Sequence, residues 1–226
     1  MTQSQPVGES LLYGLDQGAG AELLPEVAAA FERLRLAAAR EGIDLAIASG
    51  RRNFARQLAI WNRKAAGLLP VLDDQGCVLD MACLPDCGKV NAILRWSALP
   101  GASRHHWGTD CDVYDRAAVA PGYQLQLTRE EAGQQFARLH RWLDQRIERG
   151  EAEGFYRPYD QDRGGIAPEP WHLSHAATAR SYEQAFSVER LGDILRESDL
   201  ALKDAVLPRL PELYRRFIRV PAPGPG

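Results

Sequence analysis

The chain has 226 residues, of which 45% are hydrophobic and 25% charged, and its formal net charge is −3. This composition is that of an ordinary globular protein, and it excludes a protein with a basic nucleic-acid-binding patch or a highly charged tail. The length suits one domain, which we expect over residues 23–220, after an N-terminal arm or surface wrap at 1–22 and before a disordered Pro/Gly tail at 221–226.

The N-terminal residues contain no cationic start followed by an apolar run. We therefore expect neither a signal peptide nor a membrane span, and we expect a cytoplasmic protein, or a periplasmic one if the start site is misassigned. Three of the four cysteines lie close together in the sequence. Their spacing matches no zinc ribbon or finger, and we expect reduced thiols. The cysteines are Cys77, Cys83, Cys87 and Cys111.

Apolar periodicity predicts a helix from Leu23 to Glu41 and a strand after it at 43–48. Asn53 is placed to cap a second helix, from about Phe54 to Ala66. Residues 67–89 combine Gly, Pro, Asp and Cys with little periodicity, and we predict an irregular insertion at the rim of the functional site.

In the second half of the chain, Thr128 and Glu131 form a capping-box pattern ahead of a helix predicted to run to about Arg149. The other predicted elements are a helix or extended segment at 90–98, strands at 110–114, 154–159 and 171–174, and helices over most of 176–218. This mixture predicts an α+β fold.

Two short stretches carry the residues with ligand and acid–base chemistry: Ser103-Arg-His-His-Trp-Gly-Thr-Asp-Cys-Asp112 and Glu169-Pro-Trp-His172. Two imidazoles and a carboxylate suit zinc, and three protein ligands leave a fourth tetrahedral position open, as in catalytic sites. Alternation along the predicted strand places Asp110 and Asp112 on one face, so the strand pattern by itself admits either as the carboxylate ligand, and Asp115 is a further competitor.

The pattern Ser-x-His-x-x-Gly-x-x-x-Asp, followed by Glu-x-x-His, resembles the LAS metallopeptidases (lysostaphin, D-Ala-D-Ala peptidases and the hedgehog fold). It is most similar to the VanY-type D-alanyl-D-alanine carboxypeptidases. Upstream, the stretch from Ser49 resembles that family's Ser-Gly-Tyr-Arg-Ser, with Arg51 in place of Tyr and Asn53 in place of Ser. Residues 154–159 resemble the strand before the second motif, and the resemblance covers roughly 40–175.

The resemblance implies a small, mostly antiparallel sheet packed by helices, with a zinc site on its open face. It selects Asp112 as the third ligand beside His105 and His172, and it implies that Glu169 is the general base that takes a proton from the attacking water. The remaining histidines, His106, His140 and His175, are interpreted as structural or surface residues.

The family arginine that meets the substrate's carbonyl oxygen or terminal carboxylate matches Arg52, with Arg51 as the competing residue. By the same resemblance Ser103 would hydrogen-bond the substrate, and Gln57 is a further substrate-contact candidate.

The sequence therefore predicts a zinc metallopeptidase that hydrolyses a C-terminal D-alanine bond of a peptidoglycan stem peptide or another D-Ala-terminated peptide. L,D-carboxypeptidase, D-Ala-D-Ala dipeptidase and wall endopeptidase activities fit the same motifs, and the oligomeric state stays open. A different class, a non-catalytic zinc-binding module, is disfavoured because all ligands and the base are present. A phage-type lysin is disfavoured because no wall-binding repeat is visible.

Overall fold

Four strands form one antiparallel sheet in the described part of the computed structural model, which covers residues 8–15 and 22–220. The strands are β1 (Leu45–Ser49), β2 (Asp110–Asp115), β3 (Phe155–Tyr156) and β4 (His172–His175). Their spatial order is β1-β2-β4-β3, and every pairing is antiparallel. With helices packed around this sheet, the predicted α+β class is confirmed.

The helices of the described residues precede, separate and follow the strands. They are α1 (Glu9–Leu12), α2 (Pro25–Arg40), α3 (Phe54–Ala65), α4 (Asp86–Trp96), α5 (Arg129–Gly133), α6 (Ala137–Glu148), α7 (Ala176–Ala185), α8 (Val188–Glu197), α9 (Lys203–Val206) and α10 (Leu210–Leu213). Short 3₁₀ turns lie at Met81–Cys83, Arg104–His106, Arg116–Ala118 and Leu207–Arg209, and a π-helical turn spans Tyr214–Ile218. None of these helices is long and apolar enough to cross a membrane.

The two faces of the sheet have different roles because side chains alternate along each strand. Cys111, Val113 and Leu173 belong to one buried apolar cluster with residues of α2 and α6. The opposite face of β2 and β4 carries polar residues, among them Asp112 and His172. The sheet is therefore packed on one side and presents ionisable groups on the other.

A second apolar cluster joins α3 and α4 to the helices that follow β4. Trp61 of α3 is fully buried, and its Nε1 donates to the Ala201 carbonyl at 2.9 Å. Residues 8–15 of the predicted arm also join this cluster through the buried Leu12 and Tyr13. The rest of the arm (1–7 and 16–21) and the tail at 221–226 lie outside the described residues, and the domain boundaries stay predictions.

Both predicted caps are confirmed. The Asn53 side chain accepts a hydrogen bond from the Arg56 N–H at 2.9 Å. Thr128 and Glu131 form the complete capping box at the start of α5. These caps satisfy backbone N–H groups that a helix leaves free in its first turn.

The prediction of one helix from the capping box to about Arg149 is wrong, because α5 and α6 are separate helices with a break at Gln134. Glycine is a weak helix former, and Gly133 ends α5. The turn that follows buries Phe136, whose ring contacts the Tyr114 and Tyr123 rings edge-on.

Two other boundaries differ from the predictions. The segment predicted as helical or extended at 90–98 is helical and begins earlier, because α4 starts at Asp86. The strand predicted at 154–159 is confined to the two residues of β3. Pro158 has no N–H to donate to a strand partner, which limits how far β3 extends.

Candidate active site

Three side chains from separate parts of the sequence meet on the open face of the sheet. His105 lies in a buried 3₁₀ turn, and Asp112 and His172 are directly opposed residues of β2 and β4. One ligand atom from each of them lies within 4.8 Å of the others. The register of the β2–β4 pair therefore brings together two of the three predicted metal ligands, and the turn before β2 adds the third.

Each imidazole is oriented by its second nitrogen. His105 Nδ1 lies 2.8 Å from the Gly50 carbonyl, which leaves Nε2 facing Asp112 Oδ2 at 3.3 Å. His172 Nε2 lies 2.9 Å from Asp110 Oδ1, which leaves Nδ1 facing Asp112 Oδ1 at 3.2 Å. A carbonyl or carboxylate on the far nitrogen is the usual support of a metal-ligating histidine.

The Asp112 carboxylate has the character of a cation ligand. Its Oδ1 atom is buried and has no hydrogen-bond partner within the described residues, and an unsatisfied buried polar atom is unfavourable unless something binds it. Burial acts to raise the pKa of Asp112, but the His105 and His172 imidazoles outweigh it and hold that pKa well below the usual range. Two imidazole nitrogens and this oxygen fit Zn²⁺.

His172 is surrounded by carboxylates. Burial lowers its pKa, yet the hydrogen bond to Asp110 and the nearby carboxylates of Asp112 and Glu169 raise the pKa well above its ordinary value. Glu169 Oε2 lies 3.4 Å from His172 Nδ1. The cluster therefore concentrates negative charge around the imidazole, which attracts a proton or a cation.

A buried ion network supports His172 from behind. Arg104 Nε donates to Asp110 Oδ1 at 2.8 Å, and Arg104 Nη1 donates to Glu183 at 2.6 Å. Asp110 also accepts from Ser174 Oγ at 3.1 Å. Burial opposes the charged form of Asp110, but Arg104 and His172 hold its pKa below the usual range. Asp110 thus shares a face with Asp112, as the alternation predicted, but lies behind His172.

The group opens onto a large cavity of about 1160 Å³. The lining includes Glu169, Arg52 and Ser103 together with His105, Asp112 and His172. Glu169 is anchored through its backbone, because its N–H donates to the Tyr159 carbonyl and its own carbonyl accepts from the His172 N–H. The His105, Asp112 and His172 group, the Glu169 carboxylate beside it and the Arg52 guanidinium thus face one volume.

Arg52 lines the cavity, and Arg51 is not among its described lining residues. Arg52 Nη1 donates to Gln57 Oε1 at 2.9 Å. Gln57 is fully buried, and its Nε2 donates to the Ala98 carbonyl at 2.7 Å. Both ends of the Gln57 amide are therefore bonded to protein groups, and this places Gln57 behind Arg52, outside the cavity lining.

His106 points away from its neighbour His105 and binds backbone on both sides. Its Nδ1 lies 2.5 Å from the Arg52 carbonyl, and its Nε2 accepts from the Gly101 N–H at 3.1 Å. This arrangement fixes the chain around Arg52 from the backbone side, while the Arg52 N–H donates to the His105 carbonyl at 3.0 Å.

The walls of the cavity come from two segments outside the motifs. The insertion predicted at the rim folds into a short antiparallel bridge between Leu72 and Val78, and residues on both sides of it line the cavity. Arg95 donates to Asp74 of this insertion at 2.7 Å and to Asp162 of a later loop at 3.0 Å, and so links the two segments. The segment 126–130 supplies a second part of the lining.

Three residues at the site were not singled out from the sequence. Arg104 stands at a variable position of the motif, where no pattern indicated a buried ion pair. Tyr159 packs its ring edge-on against His172, with the ring centroids 5.0 Å apart. Lys64 lines the cavity, and its helical spacing from Gln57 was the one available signal.

Comparison with known proteins agrees with this geometry. An antiparallel sheet with two histidines and an aspartate on its open face is the arrangement expected of the LAS-type metallopeptidases. The family model described as VanY, D-alanyl-D-alanine carboxypeptidase, matches residues 20–178. The chain belongs to this family, and the predicted family membership is confirmed.

Two relatives are uncharacterized proteins of Haemophilus influenzae. One is 50% identical over 70 residues, which cover 31% of this chain and 48% of the relative. The other is 29% identical over 124 residues, which cover 53% of this chain and 92% of the relative. The chain thus spans about half the length of the first relative.

Solved structures with a similar fold include VanYB in complex with D-alanine-D-alanine, at 24% identity and a TM-score of 0.48, covering 79% of this chain and 87% of that one. A vancomycin-resistance VanY D,D-pentapeptidase in complex with Zn(II) matches at 22% identity and 0.48, covering 84% and 88%. The LdcB LD-carboxypeptidase matches at 21% identity and 0.48, covering 81% and 67%.

Proposed function

We propose that this chain is a zinc-dependent peptidase that hydrolyses a C-terminal D-alanine bond of peptidoglycan stem peptides or their precursors. The observation that carries the proposal is the convergence of the His105, Asp112 and His172 ligand atoms with Glu169 on one cavity. Membership of a D-alanyl-D-alanine carboxypeptidase family supports the substrate class.

His105 through Nε2, His172 through Nδ1 and Asp112 through its carboxylate would hold the zinc ion, because their other polar atoms face protein partners. Zinc at this position supplies a Lewis acid that polarises the scissile carbonyl and acidifies water. The cavity must admit a peptide carbonyl beside this group, and its volume of about 1160 Å³ accommodates several residues of a peptide.

Glu169 is the proposed general base. Its carboxylate stands beside the ligand group, with Oε2 at 3.4 Å from His172 Nδ1. It takes a proton from the attacking water and gives it to the leaving amine, which is the role of a positioned carboxylate in general acid–base catalysis. Tyr159 and His172 hold the Glu169 backbone in place through hydrogen bonds.

Arg52 is the proposed electrostatic partner of the substrate. Gln57 and Ser49 accept hydrogen bonds from its guanidinium at 2.9 and 3.4 Å, so the charged group is held in a fixed direction. Arg52 then stabilises negative charge that develops on the carbonyl oxygen. Ser103 lines the same cavity and is proposed to hydrogen-bond the substrate.

The test is mass spectrometry of products. Zinc-loaded protein is incubated with a stem pentapeptide, a stem tetrapeptide and free D-Ala-D-Ala, in parallel with Glu169→Ala and with Glu148→Ala as a matched control. Glu148 is exposed on α6, which packs against the opposite face of the sheet. Loss of one alanine from the pentapeptide alone, abolished only in Glu169→Ala, supports a D,D-carboxypeptidase.

Other products would redirect the proposal. Cleavage of the tetrapeptide indicates an L,D-carboxypeptidase, and cleavage of the dipeptide a dipeptidase. Release of fragments from cross-linked wall alone indicates an endopeptidase. Absence of any cleavage by protein that retains zinc contradicts the enzymatic proposal and favours a zinc-binding module.

A further inference from the structure

Lys64 lies in the last turn of α3 and faces the same cavity as the proposed catalytic groups. It stands seven residues after Gln57, and two helical turns bring these positions to one side of the helix. The helix is held rigidly, because Trp61, between them, is fully buried and bonded to the Ala201 carbonyl. The Lys64 position in the cavity wall is therefore set by the core.

The Lys64 ammonium has an unusual environment. Burial lowers its pKa to about 8, against the opposing influence of Glu169, and Arg52 lowers that pKa further. Within the described residues the Lys64 ammonium makes neither a hydrogen bond nor an ion pair. A cation that is partly withdrawn from water without a partner is destabilised, and Lys64 stays partly exposed at the cavity, where a ligand can supply the anion.

Two other cations of the described chain with little exposed surface are paired with carboxylates. Arg104 contacts Asp110 and Glu183, and Arg157 contacts Asp144. At the cavity, by contrast, the hydrogen-bond acceptors of Arg52 are the neutral side chains of Gln57 and Ser49. Arg52 and Lys64 together therefore form a cationic wall that no carboxylate of the described chain reaches at ion-pair distance.

We infer that Lys64 is a specificity residue that binds the free C-terminal carboxylate of the peptide substrate. The inference rests on the proposed function. It gives the two cations different roles: Lys64 binds the terminal carboxylate, and Arg52 stabilises the carbonyl oxygen. Charge-assisted hydrogen bonds of this kind are about twice as strong as neutral ones. A substrate without a free C-terminus would leave Lys64 unpaired, which disfavours cleavage inside a chain.

The experiment compares a stem pentapeptide with a free C-terminal acid and the same peptide with a C-terminal amide. Both carry the same internal carboxylates, so the comparison isolates the terminal one. The variants are Lys64→Met, which removes the charge, and Lys64→Arg, which retains it. Arg63→Met is the control, because Arg63 is the exposed neighbour on α3 and lies outside the cavity lining.

For Lys64→Met we expect kcat/KM on the acid peptide to fall about 10- to 100-fold, mainly through KM, because one hydrogen bond to a charged group is lost. Cleavage of the amide should change less than about twofold, and Lys64→Arg should restore most of the activity on the acid. An equal loss on acid and amide overturns the inference, because it shows that Lys64 acts on Glu169 or on the fold.

A binding measurement separates this inference from the proposed reaction. Calorimetric titration of both peptides into Glu169→Gln, and into Glu169→Gln combined with Lys64→Met, requires no turnover. Tighter binding of the acid peptide than of the amide, with the difference lost in the Lys64→Met combination, supports the carboxylate site. This result would support the site even if the wild-type protein cleaved neither peptide. In that case the proposed peptidase function would fail while the Lys64 inference stood. Equal binding of acid and amide by Glu169→Gln overturns the Lys64 inference.

Discussion

Asp112 and His172 are directly opposed residues of the neighbouring strands β2 and β4, and Asp112 Oδ1 lies 3.2 Å from His172 Nδ1. This pair is 60 positions apart in the sequence, and only the antiparallel register brings it together. A shift of the register by one residue would turn either side chain to the packed face of the sheet. The site is therefore as stable as the pairing of these two strands.

Replacing Asp112 with alanine is expected to abolish stoichiometric zinc binding. The change removes one of three ligands and should weaken affinity by more than the roughly 10- to 100-fold that loss of an outer partner causes. Elemental analysis after dialysis against a weak chelator measures the zinc-to-protein ratio. Asp204→Ala, an exposed carboxylate of α9, should retain full occupancy, and normal occupancy in Asp112→Ala would contradict the ligand assignment.

The Asp110→Asn substitution tests whether Asp110 orients His172 for zinc binding. The amide keeps the size of the side chain but removes the charge that orients His172 through Nε2. We expect zinc affinity to fall about 10- to 100-fold with the ligands still in place. Competition with a chromophoric chelator gives the affinity, and an unchanged value would show that Asp110 serves only to neutralise Arg104.

Arg104→Met should destabilise the folded protein. Arg104 is 3% exposed and pairs with Asp110 and Glu183, and its removal leaves a buried carboxylate without its cation. Breaking a buried ion pair from one side typically costs about 3–5 kcal/mol. Urea denaturation of the metal-free protein measures the free energy of unfolding.

The matched control for this measurement is Arg180→Met, at an exposed position of α7. Its unfolding free energy should lie within about 0.5 kcal/mol of the wild-type value, as is usual for surface substitutions. A similarly small effect of Arg104→Met would mean that the network contributes little to stability.

The pH dependence of stability should report His140. Burial first, and then the neighbouring Arg157, lower the pKa of His140 to about 3. The unfolded chain, with an ordinary histidine pKa near 6.5, then binds a proton that the folded state does not. This contribution to stability is present above about pH 6.5 and is lost as the pH falls toward 3, by about 1.4 kcal/mol per pH unit at most.

Comparison of unfolding free energies at pH 7.5 and pH 4.5 for the wild-type protein and His140→Asn isolates this contribution, because the carboxylates are common to both. Both proteins are treated with a chelator beforehand, so that zinc release at low pH does not contribute to the measured unfolding free energies. The variant should lose less stability on acidification than the wild type. Equal losses would show that His140 is protonated in the folded state at pH 4.5.

Features that depend on neighbouring residues could be predicted from the sequence. Asn53 and the Thr128–Glu131 pair correctly predicted the N-termini of two helices, because a helix cap depends only on neighbouring backbone N–H groups. The motif spacing indicated the family and a set of candidate ligands. The α5–α6 break was missed, because burial of Phe136 overrides helical periodicity and no local signal reports it.

The sequence by itself determined which residues have metal-ligand and acid–base chemistry, since that depends on residue type and spacing along one strand or turn. The tertiary structure decided which of them lie together. It placed Asp112 against both histidines and Asp110 behind His172, put Gln57 behind Arg52, and turned Lys64 into the cavity. These outcomes depend on strand register and on packing between distant segments, which single-sequence periodicity does not encode.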